Sequence, residues 1–119
     1  MYVNADCTLY KYDNTTGGYI RFFVEGVYWQ ENKSANVLKH GLVPADRTMV
    51  FFYCKSPVPE NPTKDILVKG CCKFEFDNSS QQTISYCMKK FRETVEYVTV
   101  SSIDNYWYGG LPHYEISAK

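Results

Sequence analysis

Tyr19-Ile-Arg-Phe-Phe-Val-Glu-Gly-Val-Tyr-Trp29 is the longest β-like run in the chain. Ile20, Phe22 and Val24 alternate with Arg21, Phe23 and Glu25, the period of two of a strand with one buried face. After Gly26 the large apolar residues are Val27 and Trp29, one step out of phase. A glycine at a phase change predicts a β-bulge, which re-aims a strand without losing its core face. A long strand bent in this way can serve two sheets or turn the corner of a small barrel.

Upstream, residues 1–5 read as a short leader. Cys7 to Tyr12 reads as a first strand, with Cys7, Leu9 and Lys11 on one face and Thr8, Tyr10 and Tyr12 on the other. The turn cluster Asp13-Asn-Thr-Thr-Gly-Gly18 closes a hairpin onto the long run. Downstream, Gln30 to Asp46 is irregular, with Pro44 holding Val43 extended. It reads as a loop carrying a short edge strand near Asn36–Lys39, and loops of that length are often functional. Arg47 to Cys54 is a strand whose apolar run Met49–Tyr53 predicts cover on both faces. Pro57, Pro59 and Pro62 make Lys55–Lys64 an exposed, stiffened loop.

Two short strand-like pieces follow, Ile66–Lys69 and Cys71–Phe76, separated by Gly70. Ile84, Cys87, Met88 and Phe91 then fall at i, i+3, i+4 and i+7, an apolar stripe of helical period within Asp77–Arg92. Ser79 with Gln82 fits a capping box. Lys89, Lys90 and Arg92 crowd the far end of the stripe. They read first as cations complementing the helix macrodipole, and second as a contact for phosphate or an acidic partner. Thr94–Ile103 is a β-branched strand, Asp104–Pro112 a turn-rich loop, and His113–Ser117 a short last strand with Tyr114 and Ile116 inward. The sum is a mainly β fold, a small β-barrel or sandwich of about six to seven strands with one short helix.

One domain is the natural reading of 119 residues. Thirteen basic and 13 acidic residues leave no net charge, which argues against a general nucleic-acid binder. No apolar run approaches the ~20 residues that span a bilayer, and Met1–Asp6 lacks the features of a signal peptide, so synthesis in the cytosol without membrane contact is expected. Five cysteines, an odd count, read as free thiols. No Cys-x-x-Cys or His-x-x-x-His appears, so neither a metal nor another cofactor is expected. A nucleophilic enzyme would have to pair Cys71 or Cys72 with His113, and nothing local supports it. Tyr106, Trp107 and Tyr108 are the most suggestive surface feature. Three readings stand for them: a protein-interface anchor, a structural cap, or a stacking surface for a small ligand or nucleic acid.

Several phrases, in order, carry a resemblance. They are Asn4-Ala-Asp-Cys-Thr-Leu-Tyr10, Val24-Glu-Gly-Val-Tyr-Trp29, Asn36-Val-Leu-Lys-His-Gly-Leu42 with Ala45-Asp46, Asp65-Ile-Leu-Val-Lys-Gly70, Thr99-Val-Ser-Ser-Ile-Asp104 and Pro112-His-Tyr-Glu-Ile-Ser-Ala-Lys119. As a set they resemble a family of small tailed-phage and prophage proteins encoded among head–tail joining genes. The layout is also similar to head-closure, or stopper, proteins, with Val24–Val27 and Asp65–Gly70 as the matching elements. The helix and the cysteines have no counterpart in that pattern. The resemblance implies a non-enzymatic ring subunit at the virion neck, present in the host cytoplasm before assembly. Its implied partners are other copies of itself, portal or adaptor proteins and tail proteins, with DNA in the channel within reach. By position it puts partner-facing residues in the loops Gln30–Asp46, with Lys33 and His40, and Lys55–Lys64, with both end lysines. Arg47 and the Tyr106–Tyr108 aromatics complete the candidate set. The rival expectation is an accessory protein that binds a host or phage partner as a monomer through those aromatics. A tail-completion role is a further alternative.

Overall fold

The computed structural model describes residues 3–32, 47–106 and 112–119. Its elements are β1 (Ala5–Tyr12), β2 (Tyr19–Asn32), β3 (Arg47–Phe52), β4 (Ile66–Lys69), α1 (Gln81–Thr94), β5 (Val98–Tyr106) and β6 (His113–Ala118). The six strands close into a barrel in the order β1-β2-β3-β6-β5-β4. Every neighbouring pair is antiparallel, and β4 returns to pair with β1. Closure gives each of the six strands a partner on both sides over part of its length, which limits the exposed row of unpaired amides that an edge strand presents. The expectation of a small β-barrel with one helix therefore stands.

β2 is the bent strand the sequence calls for. It pairs with β1 from Tyr19 to Val27 and with β3 from Val27 to Asn32. The hinge is at Gly26, whose φ is 77°. Between Cys7↔Val24 and Ala5↔Val27, β2 carries Glu25 and Gly26 opposite Asp6 alone, a bulge of one residue. A left-handed φ is open to glycine without the Cβ clash other residues meet. The Asp6 carboxylate accepts the amide of Gly26 at 3.0 Å, which satisfies the donor displaced by the bulge. One detail differs from the alternation. Val24 is buried, but Ile20 and Phe22 remain 46% and 36% exposed. Their half of β2 lies beyond the last β3 pair, so among the described residues only β1 flanks it.

Asparagine side chains clamp β2 near both ends. Asn4 donates to the Trp29 carbonyl (3.0 Å) and accepts from the Trp29 amide (2.7 Å). Asn78 does the same at Tyr19, accepting at 3.3 Å and donating at 3.1 Å. A side-chain amide carries both a donor and an acceptor, so it replaces one residue of a partner strand. Asn4 and Ala5 thus belong to the sheet and not to a leader. Gly18 is buried because the Asn78 amide occupies the space a Cβ would take. Gly18→Ala is expected to lose the Asn78 clamp and cost about 1–3 kcal/mol, read as a lower urea midpoint at unchanged slope.

Two cores lie back to back across β1. Inside the barrel Cys7, Leu9, Val24, Val27, Trp29, Val50, Phe52, Leu67, Val100 and Ile116 pack together. Val58 joins them and Pro59 beside it is also buried, so the proline-rich loop is not wholly exposed. On the outer face of β1 and β4, Tyr10, Ile66 and Val68 pack under Phe91 of α1. The helical stripe is observed, with Ile84 and Phe91 buried. The capping residue is Ser80 rather than Ser79. Its side chain accepts the Thr83 amide at 3.2 Å, and the Thr83 hydroxyl accepts the Ser80 amide at 3.0 Å. Threonine takes the place of Gln82 because a hydroxyl three residues on reaches the same amide.

Residues 71–76 alternate as expected, with Cys72, Phe74 and Phe76 turned toward the second core, but they form no strand. Side chains hold them instead of a ladder. The Thr8 hydroxyl donates to Gly70 and accepts from Cys72, both at 2.8 Å, and the Tyr10 hydroxyl donates to the Phe74 carbonyl at 2.6 Å. α1 runs to Thr94, so the following strand begins at Val98 and extends to Tyr106, three residues into the stretch read as loop. The expected edge strand near residues 36–39 lies outside the described residues.

Candidate functional site

Of the candidate interface residues, the four described ones, Arg47, Lys55, Lys64 and Tyr106, do not converge on one site. Arg47 is exposed at the start of β3, opposite Asn32. Lys55 is exposed in the loop after β3. Lys64 sits on the β1 side, its Nζ 4.2 Å from the Tyr12 ring centre and its carbonyl accepting the Tyr19 hydroxyl at 2.9 Å. Tyr106 is the last residue of β5 rather than part of a loop tip, and it stacks on His113 with ring centres 5.2 Å apart. Lys33, His40, Trp107 and Tyr108 lie outside the described residues.

Tyr106 leads instead to a surface that the chain order hides. Strand registers place Tyr28, Phe51, Glu115 and Asp104 in one cross-strand row on the outside of β2, β3, β6 and β5. His113 and Tyr106 pair in the row beside it. Tyr28 and Phe51 are 5.5 Å apart between ring centres, Phe51 and His113 5.2 Å, and Tyr53 and His113 6.3 Å. His113 Nε2 lies 3.6 Å from Glu115 Oε1. Asp104 faces Glu115 directly, and Asp104 makes no ion pair among the described residues. Like charges placed opposite one another across a sheet repel. The arrangement offers flat rings for van der Waals contact and carboxylates for a cation. The missed members are Tyr28, Phe51, Asp104 and Glu115. Period two in β2, β3, β5 and β6 was the available signal, but which strands adjoin was not readable.

The opposite side of the barrel carries α1 over β1 and β4. Its outer residues include Tyr86, 63% exposed, with Lys90 Nζ 5.7 Å from the ring centre. Lys89, Arg92 and Glu93 are exposed as well. The lysines at Lys89 and Lys90 are not consumed by ion pairs among the described residues.

A cavity of about 270 Å³ opens at one barrel mouth, lined by Trp29, Glu31, Leu67, Lys69, Glu96, Tyr97 and Val98. Trp29 Nε1 donates to Glu31 at 2.9 Å across this rim. Burial pushes the Cys7 thiol up to about 12, helped by Cys54 and Asp6 nearby, so it stays protonated. Burial also raises the Cys54 thiol and the Tyr10 hydroxyl. Cys72 packs in the core beneath α1, whereas His113 belongs to β6 across the barrel, so the structure does not bring that pair together. Among the described residues no three His, Cys, Asp or Glu side chains gather as a metal ion would need.

One family model matches the chain, over residues 2–119, and its description is Family of unknown function (DUF6751). No curated protein and no solved structure matches the chain.

Proposed function

We propose, for a chain that belongs to the family of unknown function DUF6751, that it is a ring-forming structural subunit of a tailed-phage or prophage head–tail connector, acting as a head-closure or neck component. The reading rests on the resemblance of its ordered phrases to that group of small barrels. The observation that carries it furthest is the pair of unlike surfaces on opposite sides of a closed barrel, an aromatic and acidic sheet face and a basic helix. A subunit of a closed ring needs two different, complementary patches, because each copy meets its two neighbours with different surfaces. The portal or adaptor on one side and the tail on the other would then be met by loops at the two ends of the barrel, among them Lys55–Lys64.

The test is mass spectrometry of purified particles from the encoding phage or induced prophage, with filled heads separated from tails. The chain is expected in filled heads and whole virions, at a low copy number that matches a single ring. Absence from particles whose other structural proteins are well covered would overturn the reading. A pull-down from host lysate would then test a monomeric accessory protein instead.

A further inference from the structure

We infer that copies of this chain associate head to tail, with the outer face of α1 on one copy seated on the outer face of β3, β6 and β5 of the next. The net charge is zero, yet the last turns of α1 and the middle of the far sheet face carry opposite charge. Lys89, Lys90 and Arg92 stand exposed on α1 against one exposed carboxylate, Glu93. Asp104 and Glu115 stand opposite each other on the far sheet face. A lysine placed between them would have both carboxylates within reach. Two cations, Arg47 at the start of β3 and Lys119 just after β6, stand at the far end of that face, two register rows from Glu115.

Apolar area accompanies the charge on both sides. Tyr86 is 63% exposed on α1 and Tyr106 is 44% exposed on β5. Phe51 lies half-buried beside His113, which stacks on Tyr106 from its other side. Exposed tyrosines ringed by charge are the anchors of protein interfaces, because they bury a large area at little entropic cost. The two faces are unlike, so their contact is heterologous. In the strand order, β1 lies across from β6 and β4 across from β3. Patches on opposite sides propagate from copy to copy with a small turn at each step. They suit a ring of many subunits or a filament, and not a closed pair.

The inference rests on the ring reading for closure, but it makes its own claim about which surfaces meet. Sedimentation velocity of the full chain over a concentration series, at low and high salt, reads it directly. Wild type is expected to form species larger than a dimer that dissociate as salt rises. Asp104→Lys with Glu115→Lys, and separately Lys89→Glu with Lys90→Glu, are each expected to weaken association by about tenfold or more. Mixing the two variants restores it, because each reversed face then meets an oppositely charged one. Association that is insensitive to salt and to both reversals would overturn the inference. So would a wild-type chain that stays monomeric at its highest soluble concentration, or variants that fail to complement. The salt series needs no variant, so the test survives any that folds poorly. None of these outcomes alters whether the chain is found in particles, so the two proposals fail separately.

Discussion

Asp65→Ala is expected to lower the unfolding free energy by about 3–5 kcal/mol, the scale seen when a buried charge network loses its acceptor. Asp65 is fully buried. Its carboxylate accepts the Tyr12 amide at 2.8 Å, the Glu60 amide at 2.8 Å, the Asn61 amide at 3.0 Å and the Asn61 side chain at 3.4 Å. These donors come from the end of β1 and from the loop before β4, so one side chain ties the proline-rich loop to the barrel. Alanine would leave three backbone amides without their acceptor. Against a total stability of about 5–15 kcal/mol, that is a large fraction. It corresponds to a fall in Tm of roughly 10–20 °C for a domain of this size. Asp65→Asn keeps the volume but turns one acceptor into a donor aimed at backbone N–H groups, and a loss of similar size is expected. Paired thermal and urea melts would read both. A change within about 0.5 kcal/mol for either variant would mean that the carboxylate does not organise the loop.

Phe91→Ala is the second large effect, at about 3–5 kcal/mol for truncating a buried phenylalanine. Phe91 is fully buried and is the hub of the second core. Its ring centre lies 5.0 Å from Tyr10, 5.3 Å from Phe74, 5.4 Å from Phe76 and 5.2 Å from Tyr97. Edge-to-face and tilted pairs of this kind add to the area term. The damage should be uneven. The barrel interior has its own core, so α1 and residues 71–76 should open before the strands do. Hydrogen exchange should therefore show α1 amides losing protection more than β2 and β3 amides. Since α1 also carries Lys89 and Lys90, self-association should weaken along with helix protection. Uniform loss of protection across helix and barrel would mean that the two cores are one cooperative unit.

Much of the architecture is legible in local pattern. The Gly26 phase change marks the bulge, because only a residue without Cβ takes its left-handed φ without penalty, and side-chain parity must shift there. Ile84, Cys87, Met88 and Phe91 mark the helix, because period and burial are both local. Alternation in β1 already separates Cys7 and Leu9, which enter the barrel core, from Tyr10, which enters the second core, and Thr8, whose buried hydroxyl holds Gly70 and Cys72. Other features need contacts between residues far apart in the chain. Closure depends on β4 finding β1, some 60 residues away, and no local pattern encodes that pairing. The Asn4 and Asn78 clamps are side-chain amides standing in for strand residues, so they leave no periodic trace. Asp65 looks like an ordinary exterior carboxylate until three backbone amides gather around it. The row Tyr28–Phe51–Glu115–Asp104 exists only once four strands are in register. Periodicity says which way a side chain points. Which side chains become neighbours is settled by strand pairing, where burial and backbone hydrogen bonding act over the whole barrel at once.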